Sequence, residues 1–103
     1  MLNQMIMVGR LLQTNEERKE IVVSVPRPYK NEDGIYENDE ITVKVMDGIL
    51  NNVLNYCKVG DILGVKGRIK ATKTASGSDI ELVAERIIFL SSKSDQIKKE
   101  MEN

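Results

Sequence analysis

The sequence predicts an all-β fold, a five-stranded Greek-key barrel with one short helix between its third and fourth strands. Three observations predict it. Alternating or β-branched apolar runs recur at residues 5–12, 21–25, 41–46, 61–71 and 80–90 of a 103-residue chain. Between the third and fourth runs, apolar residues follow helical spacing instead, at Ile49, Leu50, Val53, Leu54 and Cys57. The length suits one domain.

Taken in order, residues 5–12 (MIMVGRLL) form strand one, with Met5, Met7 and Leu11 on one face and Ile6, Val8 and Leu12 on the other. One apolar face fills a barrel interior. The other needs a second cover, most simply a subunit contact. Residues 13–20 are a charged turn, and residues 21–25 (IVVSV) a second strand. Pro26-Arg27-Pro28 then interrupts pairing, because proline has no backbone donor. Asn31-Glu32-Asp33-Gly34 marks the tip of a long exposed hairpin over residues 29–39. In strand three, Ile41, Val43 and Val45 alternate with Thr42, Lys44 and Met46. Asp47 is the expected helix N-cap, and Gly60 the residue that ends the helical segment.

Strand four, residues 61–71, turns Leu63, Val65 and Ile69 one way and Lys66, Arg68 and Lys70 the other, with Gly67 among the first set. Residues 73–78 (KTASGS) read as a flexible turn. Strand five, residues 80–90, keeps Ile80, Leu82, Ala84, Ile88 and Leu90 on one parity; Arg86 breaks it and predicts a bulge. Tyr56 and Phe89 are expected to pack inside. Residues 1–92 make the barrel domain, and 93–103 a flexible or partly helical tail. A strand, one helix and a strand in a small β-rich chain is the OB architecture, which grips oligonucleotides on an open barrel face.

Composition narrows the function. The chain has no His, so the commonest general base and metal ligand is absent. No Ser-His-Asp or Cys-His set is available and no phosphate-cradling glycine loop appears, so a non-enzymatic protein without cofactor or metal is expected. The acidic group Glu32, Asp33, Glu37, Asp39 and Glu40 lacks EF-hand spacing and reads as a solvated loop. The single Cys57 cannot form an internal disulfide and suits a reducing, cytoplasmic setting. No apolar run approaches the ~20 residues of a membrane span, and residues 1–8 lack a basic leader. With 15 basic and 16 acidic residues, a polyanion is bound only if the charges are segregated. The candidates are a basic stripe of Lys66, Arg68 and Lys70, with Lys73 following and Lys44 from strand three, tracking phosphates. In the hairpin, Arg27 and Lys30 flank Tyr29, and Tyr36 is a further stacking candidate. Met46 is polarizable enough to meet a base face. Arg10 suits either a phosphate or a subunit contact.

Five segments together resemble the bacterial and phage single-stranded DNA-binding proteins. They are Met5-Ile6-Met7-Val8-Gly9-Arg10-Leu11, Val25-Pro26-Arg27-Pro28-Tyr29-Lys30-Asn31, residues 39–56, Val59-Gly60-Asp61 with Val65-Lys66-Gly67-Arg68-Ile69, and residues 83–90. The resemblance implies an OB fold, sequence-tolerant binding of single-stranded DNA and assembly into a homotetramer, with a homodimer as the alternative. It places Tyr29 at one of the family's base-stacking positions, while the others hold Ile41, Met46 and Thr74. At ~1–3 kcal/mol per stacked base, binding should be weaker by several kcal/mol. Lys98-Lys99-Glu100-Met101-Glu102-Asn103 lacks the acidic, hydrophobic tip by which family members recruit enzymes. A divergent phage, plasmid or mobile-element member, acting in replication, recombination or repair, is the resulting expectation. The rival is an OB-fold adaptor, similar to a primosomal dimer, that binds proteins and has weak nucleic-acid affinity.

Overall fold

The computed structural model describes residues 1–92. Within them β1 spans Met5–Asn15, β2 Glu20–Lys30, β3 Tyr36–Val45, α1 Asp47–Tyr56, β4 Ile62–Thr74 and β5 Gly77–Ser91. The strands close into a barrel in the order β1-β2-β3-β5-β4. Neighbours are antiparallel except β3 and β5, which run parallel through Lys44↔Val83 and Val45↔Ala84. The fold class is the one the alternation predicts. Inward residues of every strand and two of the helix (Leu11, Ile21, Val23, Val43, Val45, Leu50, Val53, Leu63, Val65 and Ala84 among them) form one buried cluster.

β1 serves two partners, which closes the ring. Residues 5–10 pair with β4 and residues 10–15 with β2, with a bulge between Leu11 and Gln13. The hand-over is held by the loop after α1. The Leu11 N–H donates to the Asp61 carbonyl at 2.9 Å, and the Gly60 N–H donates to the Leu11 carbonyl at 2.8 Å. Gly60 reaches this position with φ 98°, in the left-handed region. Asp61, 4% exposed, accepts the Lys58 N–H at 2.8 Å. The Val59-Gly60-Asp61 segment is therefore the staple that seats β1 between β2 and β4. Gly9 and Gly67 mark two close crossings: a Cβ on Gly9 would strike the Ser24 carbonyl, and one on Gly67 the Val83 carbonyl.

Several local expectations are corrected. β2 does not stop before Pro26; it runs on to Lys30, with Pro26 opposite Asn38 and a register shift before Lys30↔Tyr36. The prolines are tolerated because β1 leaves β2 at Ser24, so the missing donors fall on a free edge. The N-cap is Met46, with extended dihedrals and no side-chain cap. Asp47 is instead the first helical residue, where its charge suits the helix dipole and pairs with Lys19 at 3.1 Å. Residues 73–78 are no flexible turn: β4 and β5 stay paired to Thr74↔Gly77, leaving only Ala75 and Ser76 between them. The bulge near Arg86 is present, with Glu85 unpaired between Ala84 and Arg86. Tyr56 and Phe89 are exposed. They lie off the buried helix stripe and line a groove of about 500 Å³ between α1 and β5. The expected tail, residues 93–103, lies outside the described residues.

Candidate nucleic-acid interface

Pairing register decides which cations are available. On β4, Leu63, Val65 and Gly67 are buried while Lys66, Arg68 and Lys70 alternate with them into solvent. Their cross-strand neighbours on β5 are Arg86, Val83 and Glu81. Among the described residues, Lys66, Arg68, Lys70 and Arg86 make no side-chain hydrogen bond or ion pair. Arg86 thus adds a fourth cation to the stripe. From the sequence Arg86 signals only a bulge, and the bulge at Glu85 is what brings it opposite Lys66. Lys73 stands opposite Ser78 near the ribbon tip, and by alternation it faces the other side from Lys70.

Lys44 does not join the stripe as expected. Its backbone lies in the same row as Val83 and Arg68. Its ammonium turns toward β2, however, donating to Glu20 Oε1 at 3.2 Å and the Arg18 carbonyl at 3.3 Å. An acidic neighbour one strand away captures it. Met46 is exposed at the same barrel end, beside Arg18, Lys19 and Asp47.

The β2–β3 hairpin forms an arm beyond the barrel. At its tip the Asn31 side-chain oxygen accepts the N–H groups of Asp33 and Ile35, both at 2.9 Å, and Gly34 turns the chain at φ 76°. Tyr29 and Tyr36 are 61% and 59% exposed, and the Lys30 ammonium sits 5.6 Å from the Tyr36 ring centre. Arg27 is engaged inside the arm. Its Nη2 and Nε donate to Asp39 Oδ1 at 2.8 and 3.1 Å, and its Nη1 to Glu37 Oε2 at 3.4 Å. The hydrogen bond to Asp39 raises Arg27 above its ordinary pKa and holds the Asp39 carboxyl below the usual aspartate range. Glu37 and Asp39, read from sequence as part of a solvated loop, are its partners. Arg10 likewise donates to the Gly60 carbonyl at 3.0 Å. The candidates therefore lie in three places: the β4–β5 stripe, the arm, and the barrel end at Lys44 and Met46.

The outer face of β1, β4 and β5 is apolar next to the stripe. Val8, Gly64 and Ile88 stand in one row, with Ile6 and Leu90 beside them, all four side chains exposed. No metal-ligand cluster of three or more occurs among the described residues, and none of their helices is long and apolar enough to cross a membrane.

No protein-family model matches the chain. It is 36% identical over 107 aligned positions to single-stranded DNA-binding protein 3 of Listeria innocua, covering 90% of this chain and 66% of that protein. It is 33% identical over 110 positions to the single-stranded DNA-binding protein of Oceanobacillus iheyensis, covering 93% and 68%. The chain thus spans about two thirds of the length of these relatives. Its fold is similar to that of a mitochondrial single-stranded DNA-binding protein from S. cerevisiae, with TM-score 0.68, 20% identity, and coverage of 89% of this chain and 98% of that one.

Proposed function

Because this chain belongs to the single-stranded DNA-binding protein family, we propose that its barrel binds single-stranded DNA in a sequence-tolerant way, as a coat protein rather than an enzyme. The observation that carries the reading is the stripe of Lys66, Arg68, Lys70 and Arg86, exposed on one face of the β4–β5 ribbon and in no ion pair among the described residues, with Glu81 opposite Lys70 as the acidic neighbour on that row. Such a row neutralises successive phosphates and releases their counterions, whatever the base sequence. Tyr29 and Tyr36 offer the base faces a stacking surface from the arm, with Lys30 adding charge beside Tyr36. Met46 is a weaker platform, and Lys73 adds charge at the ribbon tip. Lys44 and Arg27 contribute only if they leave their carboxylates.

Assembly completes the site. The apolar patch of Ile6, Val8, Ile88 and Leu90 suits burial against a second copy, as in a homotetramer or homodimer. Lys66 and Arg86 border that patch, whereas Arg68 and Lys70 lie farther out along the ribbon. We further place the protein in the cytoplasm of a bacterium, on strands exposed during replication, recombination or repair. Its small set of aromatic platforms favours a phage or mobile-element member.

Titration of the protein into a fluorescent oligo-dT, read by anisotropy, tests the reading. Saturable binding at low salt, competed by unlabelled single strand of any sequence and poorly by duplex, is the expected result. No binding at micromolar protein in low salt would overturn it. One observation favours the adaptor as a second reading: residues 26–40 carry five acidic and two basic side chains, a poor surface for a polyanion. Nuclease-insensitive recovery of a specific protein partner, together with absent oligo-dT binding, would select it.

A further inference from the structure

The arm contains a cation whose surroundings explain why an acidic hairpin could still take up a polyanion. Arg27 presents its Nε/Nη2 edge to Asp39 Oδ1 and its Nη1 to Glu37, whose other oxygen accepts Asn31 Nδ2 at 2.7 Å. Asp39, Arg27, Glu37 and Asn31 form one chain from the root of the arm to its turn. The Nε/Nη2 edge is the fork that recognises carboxylate and phosphate alike. The three charged side chains are 38%, 45% and 47% exposed, so a strand phosphate has access to the fork. Ion pairs this exposed are weak, which leaves carboxylate and phosphate close to balance.

We propose that Asp39 and Glu37 are competing anions that occupy the Arg27 fork a backbone phosphate would take, and so set the affinity of the arm for single strands. The inference rests on the single-strand reading above. Arg27 then makes its phosphate contact by exchange, Asp39 moving off as phosphate moves on, with no net loss of hydrogen bonds to the guanidinium. Removing the Asp39 charge while keeping its shape takes away the competitor.

The test uses the full chain and labelled oligo-dT, with Asp39→Asn, Asp33→Asn as a charge control at the arm tip, and the double variant Arg27→Gln/Asp39→Asn. Asp39→Asn should bind about two- to fivefold more tightly than Asp33→Asn, the worth of one exposed ion pair. Its affinity should fall more steeply with salt, by up to about 0.7 in the logarithmic slope, because Arg27 then contacts phosphate in every complex rather than in the fraction where Asp39 has moved off. The double variant should lose both gains. Equal affinity of Asp39→Asn and Asp33→Asn, or a gain that survives Arg27→Gln, overturns the inference while wild-type binding leaves the single-strand reading standing. A wild-type chain that binds no oligo-dT overturns both.

Discussion

Replacing Gly67 by Ala tests the account of how β4 and β5 meet. The new Cβ would collide with the Val83 carbonyl, with the Val83 carbonyl carbon 2.8 Å and the Ala84 Cα 3.0 Å away. All three neighbours are backbone, in a strand paired on both sides at Val83, so no rotamer change relieves the clash. Overpacking costs ~1–3 kcal/mol where side chains can adjust, and the upper figure applies where backbone must shift. A domain this size holds only ~5–15 kcal/mol in all. At ~4–8 °C per kcal/mol, Gly67→Ala should lower Tm by ~12–24 °C. Gly48→Ala is the control: nothing lies within 4 Å of that Cβ, and the site is helical. Alanine's helix preference should raise Tm by ~2–4 °C for ~0.5 kcal/mol. Thermal melts by circular dichroism, at matched protein concentration, give both signs. A Gly67→Ala chain melting within ~3 °C of wild type would refute the close-crossing argument.

Other outcomes follow from the same geometry. Asp39 has its pKa held down by Arg27, so its contribution to the arm is complete above the usual aspartate range and is lost as pH falls through the lowered value. Amide exchange along residues 25–39 should therefore be faster in acid than extrapolation from neutral pH implies, and Asp39→Asn should abolish the excess. Burial, with Asp61 adding to it, pushes the Cys57 thiol up. Alkylation at neutral pH should thus be slower than for a free cysteine and accelerate only in alkaline solution; a rate equal to that of glutathione would contradict the placement of Cys57. Ile6→Asp with Val8→Asp should reduce the mass seen by light scattering to that of one chain while the far-ultraviolet spectrum keeps its strand signal. Unchanged mass would show that the outer face of β1 is not the contact.

Much of the fold is legible because alternation is local. Val43 and Val45 on β3, and Leu63 and Val65 on β4, declare their inward face within a few residues. What alternation cannot report is which strand comes to lie alongside. Pro26 reads as a break until β1 is seen to leave β2 at Ser24. Arg27 and Arg68 look equivalent as outward arginines, yet β3 sets Glu37 and Asp39 within reach of the first, while Val83 stands opposite the second. Lys44 is lost from the stripe for the same reason, since Glu20 stands opposite it on β2. Gly9 and Gly67 are prominent in the family-like segments, but the carbonyls they make room for, at Ser24 and Val83, lie on other strands. Alternation with one helical interruption suffices for the barrel, whereas the side-chain contacts across strands separate Arg27 and Lys44, engaged by Asp39 and Glu20, from the cations of β4, free among the described residues.

The salt dependence of oligo-dT binding, measured for wild type and for Lys66→Gln/Arg68→Gln/Lys70→Gln, tests the central claim most directly. Each phosphate contact contributes about 0.7 to the logarithmic slope for a single strand, so three contribute about 2. Between 50 and 200 mM salt the wild type should therefore lose about 18-fold more affinity than the variant. Equal slopes for the two proteins would contradict a phosphate path along β4.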